Sequence, residues 1–178
     1  MTRYVGFVRN VMVGRSGLSR AVLLGAFRDA GGADPVSYLA TGNVSFDATE
    51  ATLAQVIGSV ETTVAEVLDR HEPVFVRGLS HLAGLVAVRP FAAFDRLDVR
   101  ERCVTFLPDG QTWTHRLPFS PPRNDVTLIA ANGACVFSVT RLVGGRPGTA
   151  GPIVERELGE PVTTRNWNTV ERIVRAHG

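Results

Sequence analysis

Val36-Ser37-Tyr38-Leu39-Ala40-Thr41-Gly42-Asn43-Val44-Ser45-Phe46 is the stretch on which the architecture turns. Val36 to Ala40 reads as a short strand. Thr41-Gly42-Asn43 is turn chemistry, and Val44 to Phe46 reads as the returning strand. Gly42 and Asn43 both tolerate positive φ, which a tight hairpin needs. Asn43 has a second reading, in which its amide faces a ligand at the loop edge.

Upstream, Tyr4 to Met12 is apolar and β-favouring, so it predicts the first strand. Ser19 then caps a helix running to Ala30, with Val22, Leu23, Ala26 and Phe27 on one stripe and Gly31-Gly32 at its end. Downstream, Asp47 or Thr49 caps a long helix ending near Arg70. Its residues Leu53, Val56, Ile57, Val60, Val64, Val67 and Leu68 recur at helical spacing. Pro73 opens a strand over Val74 to Val76. The order β-α-β-β-α-β is the split βαβ, ferredoxin-like arrangement. That arrangement brings Gly14–Ser19, Thr41-Gly42-Asn43 and His71-Glu72 to one edge of the sheet.

The C-terminal half reads as a second small α+β unit packed on the first, with a soft boundary near Gly78. This gives subdomains 1–78 and 79–178 in one compact unit. A helix spans Ser80 to Val88, stopped by Pro90, and Phe91 to Arg100 has no assignable pattern. Strands are expected over Cys103–Leu107 and Thr112–Arg116. Asn132-Gly133 forms a type I′ hairpin between Asp125–Ala131 and Ala134–Val139. Gly144 to Gly148 reads as a loop. A helix from Ala150 or Pro152 ends at Gly159, and a last helix runs from Trp167 to Ala176.

The 178 residues are 44% hydrophobic and 20% charged, the balance of a globular chain. No apolar run approaches the ~20 residues that cross a bilayer, and the N-terminus lacks a secretory pattern, so a cytoplasmic protein is expected. All basic residues are arginine and they are dispersed among acids, which argues against a nucleic-acid surface. Cys103 and Cys135 sit in apolar runs and read as buried thiols. The four histidines lack ligand spacing, so neither metal nor cofactor is expected.

Several segments resemble the bacterial family called domain of unknown function 1697. Arg9, Val13 and Gly14 match its opening strand, where Asn10, Met12 and Arg15 depart from it. Thr41-Gly42-Asn43 is similar to its Ser-Gly-Asn turn, and Arg165-Asn166-Trp167 matches its C-terminal signature. Gly145-Arg146-Pro147-Gly148 lacks the serine and lysine that the family often carries there. The resemblance implies an α+β fold with a ferredoxin-like half, and no assigned activity.

The Gly14–Arg20 loop opens a helix, where free N–H groups favour anions, and Arg15 and Arg20 add charge. It is not a P-loop, because Gly-Lys-Ser/Thr is absent. Thr164, Asn166 or Asn168 caps the last helix, and Trp167 anchors it. Arg165 pairs with a carboxylate such as Glu171 or Glu155, or it recognises a phosphate or carboxylate group. Arg9, Asn10, Arg15, Asn43, Arg165 and Asn166 are therefore the candidate ligand contacts. The leading reading is a non-enzymatic module for a small anionic ligand, a nucleotide or phosphometabolite. The alternatives are an enzyme using the same cleft, or a protein or RNA interaction module.

Overall fold

The computed structural model describes residues 1–94 and 99–178. The chain is a mixed α/β protein whose contacts divide it into two compact units, Met1–Ala83 and Gly84–Gly178. Part of the unassigned segment Phe91–Arg100 lies outside the described residues. Within it, Ala92–Phe94 forms one short 3-10 turn.

The first unit runs β1 (Thr2–Val8), α1 (Arg20–Asp29), β2 (Ala33–Tyr38), β3 (Asn43–Ala48), α2 (Glu50–Leu68), β4 (Val74–Gly78). Its strands form one sheet in the order β2-β3-β1-β4, with every neighbouring pair antiparallel. The element order is the β-α-β-β-α-β read from the sequence. The central strand β1 pairs Gly6 with Val44 on one side and with Val76 on the other.

Local chemistry explains the helices. Ser19 caps α1 by accepting from the Val22 N–H. Thr49 and Thr52 form a reciprocal capping box at the start of α2. Both helices bury apolar stripes on one face of the sheet. Leu23, Ala26 and Phe27 of α1 and Val56, Val60 and Val64 of α2 meet Val8, Val44, Phe46, Val74 and Val76. Phe27 lies over the strand at Gly6, where an added Cβ would stand 3.0 Å from its ring.

Three expectations in this unit need correction. The first strand stops at Val8 rather than Met12, because Asn10 takes a left-handed φ of 51° and leads the chain off the ladder. The hairpin turn is reached one step earlier than read. Leu39 (φ 58°) and Gly42 (φ 70°) carry the positive φ values, while Asn43 is already the first residue of β3. The strand β2 begins at Ala33, with a register shift before Val36. Asp34 is left-handed there, and Pro35 offers no N–H, which an edge strand tolerates.

In the second unit, β5 (Glu101–Phe106), β6 (Val126–Asn132), β7 (Cys135–Thr140) and β10 (Thr163–Asn166) form an antiparallel sheet in the order β10-β5-β7-β6. A two-stranded ribbon, β8 (Leu142–Val143) and β9 (Arg146–Pro147), lies between β7 and β10 in the chain. The helices are α3 (Leu79–Ala87), within which the division between units falls, α4 (Gly151–Leu158) and α5 (Trp167–Arg175). Val126, Leu128 and Val136 gather on one sheet face with Ala150 and Val154 of the α4 region. By strand alternation Arg102, Val104, Phe106, Phe137 and Arg165 share the opposite face.

Here too the structure departs from the reading. Thr112–Arg116 is not a strand. The prolines after it supply no N–H, and the ladder beside β6 is taken instead by a single bridge from Phe119 to Leu128. The β6–β7 loop is Gly133-Ala134, and only Gly133 has positive φ, so Asn132 stays in the strand and the type I′ assignment fails. Gly144 and Gly145, read as part of a loop, both take positive φ and close the β8–β9 ribbon. Thr163–Asn166 is an edge strand, hidden from periodicity by its polar side chains.

Gly42→Ala tests the turn. Its φ is positive, and an added Cβ would overlap Val11 Cγ2. The substitution should cost about 2 kcal/mol or more and lower the thermal midpoint, as read by circular dichroism.

Candidate functional site

At one edge of the first sheet, Val8 N–H donates to Gly42 O (2.8 Å), Arg9 N–H to Pro73 O (3.1 Å) and Val13 N–H to Ala40 O (2.7 Å). The loop after β1, the β2–β3 turn and the start of β4 therefore do converge. Glu72 is the electrostatic centre of this edge. It is only 4% exposed, and its two oxygens accept from Arg9 Nη1 and Arg70 Nε, each at 3.0 Å. Arg70 also donates to the carbonyl of Asn10 at 2.8 Å. Two guanidinium groups on one buried carboxylate offset its desolvation, so this part of the edge is a structural clamp.

Asn43 is fully buried, and its amide donates to Tyr38 O (3.0 Å) and Thr41 Oγ1 (2.9 Å), holding the turn from inside. Asn10 and Arg15 are exposed. The Arg15 backbone forms a bridge with Leu18 that closes the loop before α1. Arg20 donates to the carbonyl of Ser37 at 2.8 Å, on the outer side of edge strand β2.

The C-terminal signature sits in the second unit, where β10 passes directly into α5. Asn166 caps α5 by accepting from the Asn168 N–H. Arg165 is 8% exposed, and Nη1 donates to Thr163 Oγ1 (2.7 Å) and Thr164 O (2.9 Å). Burial lowers its pKa to about 10, which leaves it cationic at neutral pH. Trp167 is buried against Phe91 and Phe137, with ring centroids 5.3 and 5.7 Å away. Phe91 and Phe137 meet edge to face at 5.8 Å.

Beside that aromatic cluster lies a hollow of about 180 Å³, lined by Val86, Arg89, Phe91, Ala92, Arg102, Trp167 and Glu171. Arg89, at φ 49°, follows the end of α3 and precedes Pro90. Arg102 comes from β5, on the same sheet face as Val104, and its guanidinium reaches the Phe94 carbonyl at 3.4 Å. Glu171 stands one helical turn beyond Trp167 on α5. Two cations, one carboxylate and an indole thus border one concavity. Among the sequence candidates, neither Arg165 nor Asn166 lines it, although both adjoin Trp167 in the chain.

Arg89, Arg102 and Glu171 were not singled out by sequence reasoning as ligand contacts. A partial signal existed for Glu171, because spacing of four places it on the Trp167 side of the helix. Arg89 and Arg102 carry no local motif; only the fold brings them together.

Reactive side chains are otherwise engaged or muted. Ser120 Oγ lies 2.8 Å from Thr127 Oγ1, and the His115 ring rests against Trp113 with centroids 4.9 Å apart. Glu155 accepts from the Val162 N–H, while Glu157 pairs with Arg156 on the surface, so the two carboxylates serve different neighbours. Cys103 and Cys135 are both buried and form no disulfide with each other. Desolvation, aided by the charge of Glu101, pushes Cys103 up to about 12. Among the described residues no group of three or more His, Cys, Asp or Glu is placed to hold a metal, and no helix is long and apolar enough to cross a membrane.

The chain belongs to the family described as Protein of unknown function (DUF1697), whose model matches residues 1–137. The matched span takes in Thr41-Gly42-Asn43 but ends before Arg165-Asn166-Trp167. A solved structure of a conserved bacterial protein from Streptococcus pneumoniae is similar in fold. Its TM-score is 0.68 at 21% identity, over 99% of this chain and 98% of that one. Comparison with curated proteins yields no match.

Two outcomes follow from these environments. Cys103 should resist iodoacetamide at neutral pH in the folded protein and react after denaturation, as read by mass spectrometry. Arg165→Ala should remove two charge-assisted hydrogen bonds, cost about 2 kcal/mol or more, and lower the thermal midpoint by roughly 10 °C.

Proposed function

We propose that this member of the DUF1697 family is a non-enzymatic binding module for a small anionic ligand, seated in the hollow of the second unit. The observation that carries this reading is the placement of Arg89 and Arg102 around one concavity walled by Trp167 and Phe91. Guanidinium groups match carboxylate and phosphate geometry, so two of them on one concavity offer an anion charge-assisted hydrogen bonds.

Size narrows the ligand. The hollow is about 180 Å³, below the ~300–1,000 Å³ usual for drug-sized ligands. It suits a carboxylate- or phosphate-bearing head group, so a nucleotide would insert only in part. The lining holds no thiol, hydroxyl side chain or imidazole among the described residues, and this favours binding over covalent chemistry. A base-stacking role draws no support from the first sheet, since Phe7, Phe46 and Phe75 are all buried.

The test is a titration with inorganic phosphate, acetate and small phosphorylated or carboxylated metabolites. Tryptophan fluorescence is followed in a Trp113→Phe background, so that Trp167 reports alone. At least one anion should give a saturable change, weakened about tenfold or more by Arg89→Ala. A flat response to every anion, or unchanged affinity in the folded variant, would remove this reading.

A further inference from the structure

We infer that the ligand of this hollow is zwitterionic: a molecule of the α-amino-acid class, whose carboxylate meets Arg89 and whose ammonium group meets Glu171. The inference rests on the anion-binding reading above and deepens it.

Glu171 and Arg89 line the same hollow. Among the described residues, neither side chain makes a hydrogen bond or ion pair within the protein. The chain elsewhere pairs carboxylates that are buried or half-buried. Glu72 takes two arginines, Asp47 takes Arg3, and Asp125 takes Arg123. Glu171 is also half-buried, yet it is left unpaired among the described residues, beside apolar rings. Such placement costs desolvation with no compensating contact among the described residues.

A simple anion would worsen that cost, because the Glu171 carboxylate would repel it. A ligand carrying an ammonium group removes the cost, since it supplies the missing counter-charge while its carboxylate is held by a guanidinium fork. Complementary charge at both ends also fixes the ligand's orientation.

The remaining walls suit the rest of such a molecule. Val86, Phe91, Ala92 and Trp167 complete the lining and would border Cα and its substituents. At ~30 Å³ per water-sized group, the hollow accommodates about six such groups. That is the scale of a small amino acid rather than of a nucleotide or a peptide.

The experiment separates this inference from the reading beneath it. The standard L-amino acids are screened by thermal shift, and the strongest is taken to calorimetry with its N-acetyl derivative, its methyl ester, acetate and inorganic phosphate. The expected result is that the free amino acid binds at least tenfold more tightly than any of the others. Glu171→Gln, with an unchanged circular-dichroism spectrum, should erase the advantage over the N-acetyl derivative and leave acetate binding intact or improved. If the N-acetyl derivative, acetate or phosphate binds as tightly as the free amino acid, the zwitterion inference falls while the anion reading stands. It falls equally if Glu171→Gln leaves the preference unchanged. If neither amino acids nor simple anions bind, both fall.

Discussion

The contact among Phe91, Phe137 and Trp167 is the one on which the candidate site depends. Phe137 belongs to the central strand β7, Trp167 is the first residue of α5, and Phe91 lies beyond the end of α3. Their mutual edge-to-face and tilted packing joins a sheet face, a helix start and a connecting segment through ring surfaces rather than polar contacts. Because Trp167 is locked, the direction of α5 is set, and with it the position of Glu171. Because Phe91 is locked, Arg89 is held two residues away at the same rim. The hollow lies beside Phe91 and Trp167, where residues from α3, β5 and α5 border one concavity.

Polar residues in this protein do two different jobs, and burial with partners separates them. Glu72, Asn43 and Arg165 are buried and have hydrogen-bond partners within their own unit. Each offsets its desolvation locally, and each reads as a member of the scaffold. Arg89 is exposed and Glu171 half-buried, each at a concave surface. The strongest charge-assisted bonds lie at turns and strand edges, such as the two arginines on Glu72. Among the described residues, the charges of Arg89 and Glu171 at the hollow stay uncommitted.

The elements legible beforehand are those with a local cause. Ser19 and Thr49 announce their helices because a side-chain oxygen can satisfy a free N–H. Gly159 ends α4 because it takes a left-handed φ of 74° without penalty. Where the cause is not local, the reading slips. Leu39 adopts positive φ at the β2–β3 turn although leucine has no preference for it, and Asn43, which has one, does not. The turn's shape is imposed by strand register and by the backbone bonds that tie Gly42 and Ala40 to the loop after β1. Likewise Thr163–Asn166 becomes a strand because β5 offers an unpaired edge, not because threonine and asparagine alternate in hydrophobicity.

Periodicity, capping and turn chemistry act within a few residues, and they were enough to specify the element order of the first unit, its capped helices and the presence of the β6–β7 hairpin. They also marked Trp167 as the anchor of the last helix. Which polar groups the fold consumes, and which it leaves at a concave surface, emerges only from packing. Arg165, a candidate ligand contact in the sequence, is buried on Thr163 and Thr164, whereas Arg89, Arg102 and Glu171 reach one hollow from three separate parts of the chain. A side chain's availability depends on its neighbours in space. For these residues the neighbours are set by strand alternation in β5, by the end of α3 and by the packing of three aromatic rings, none of which is encoded within one short window of the chain.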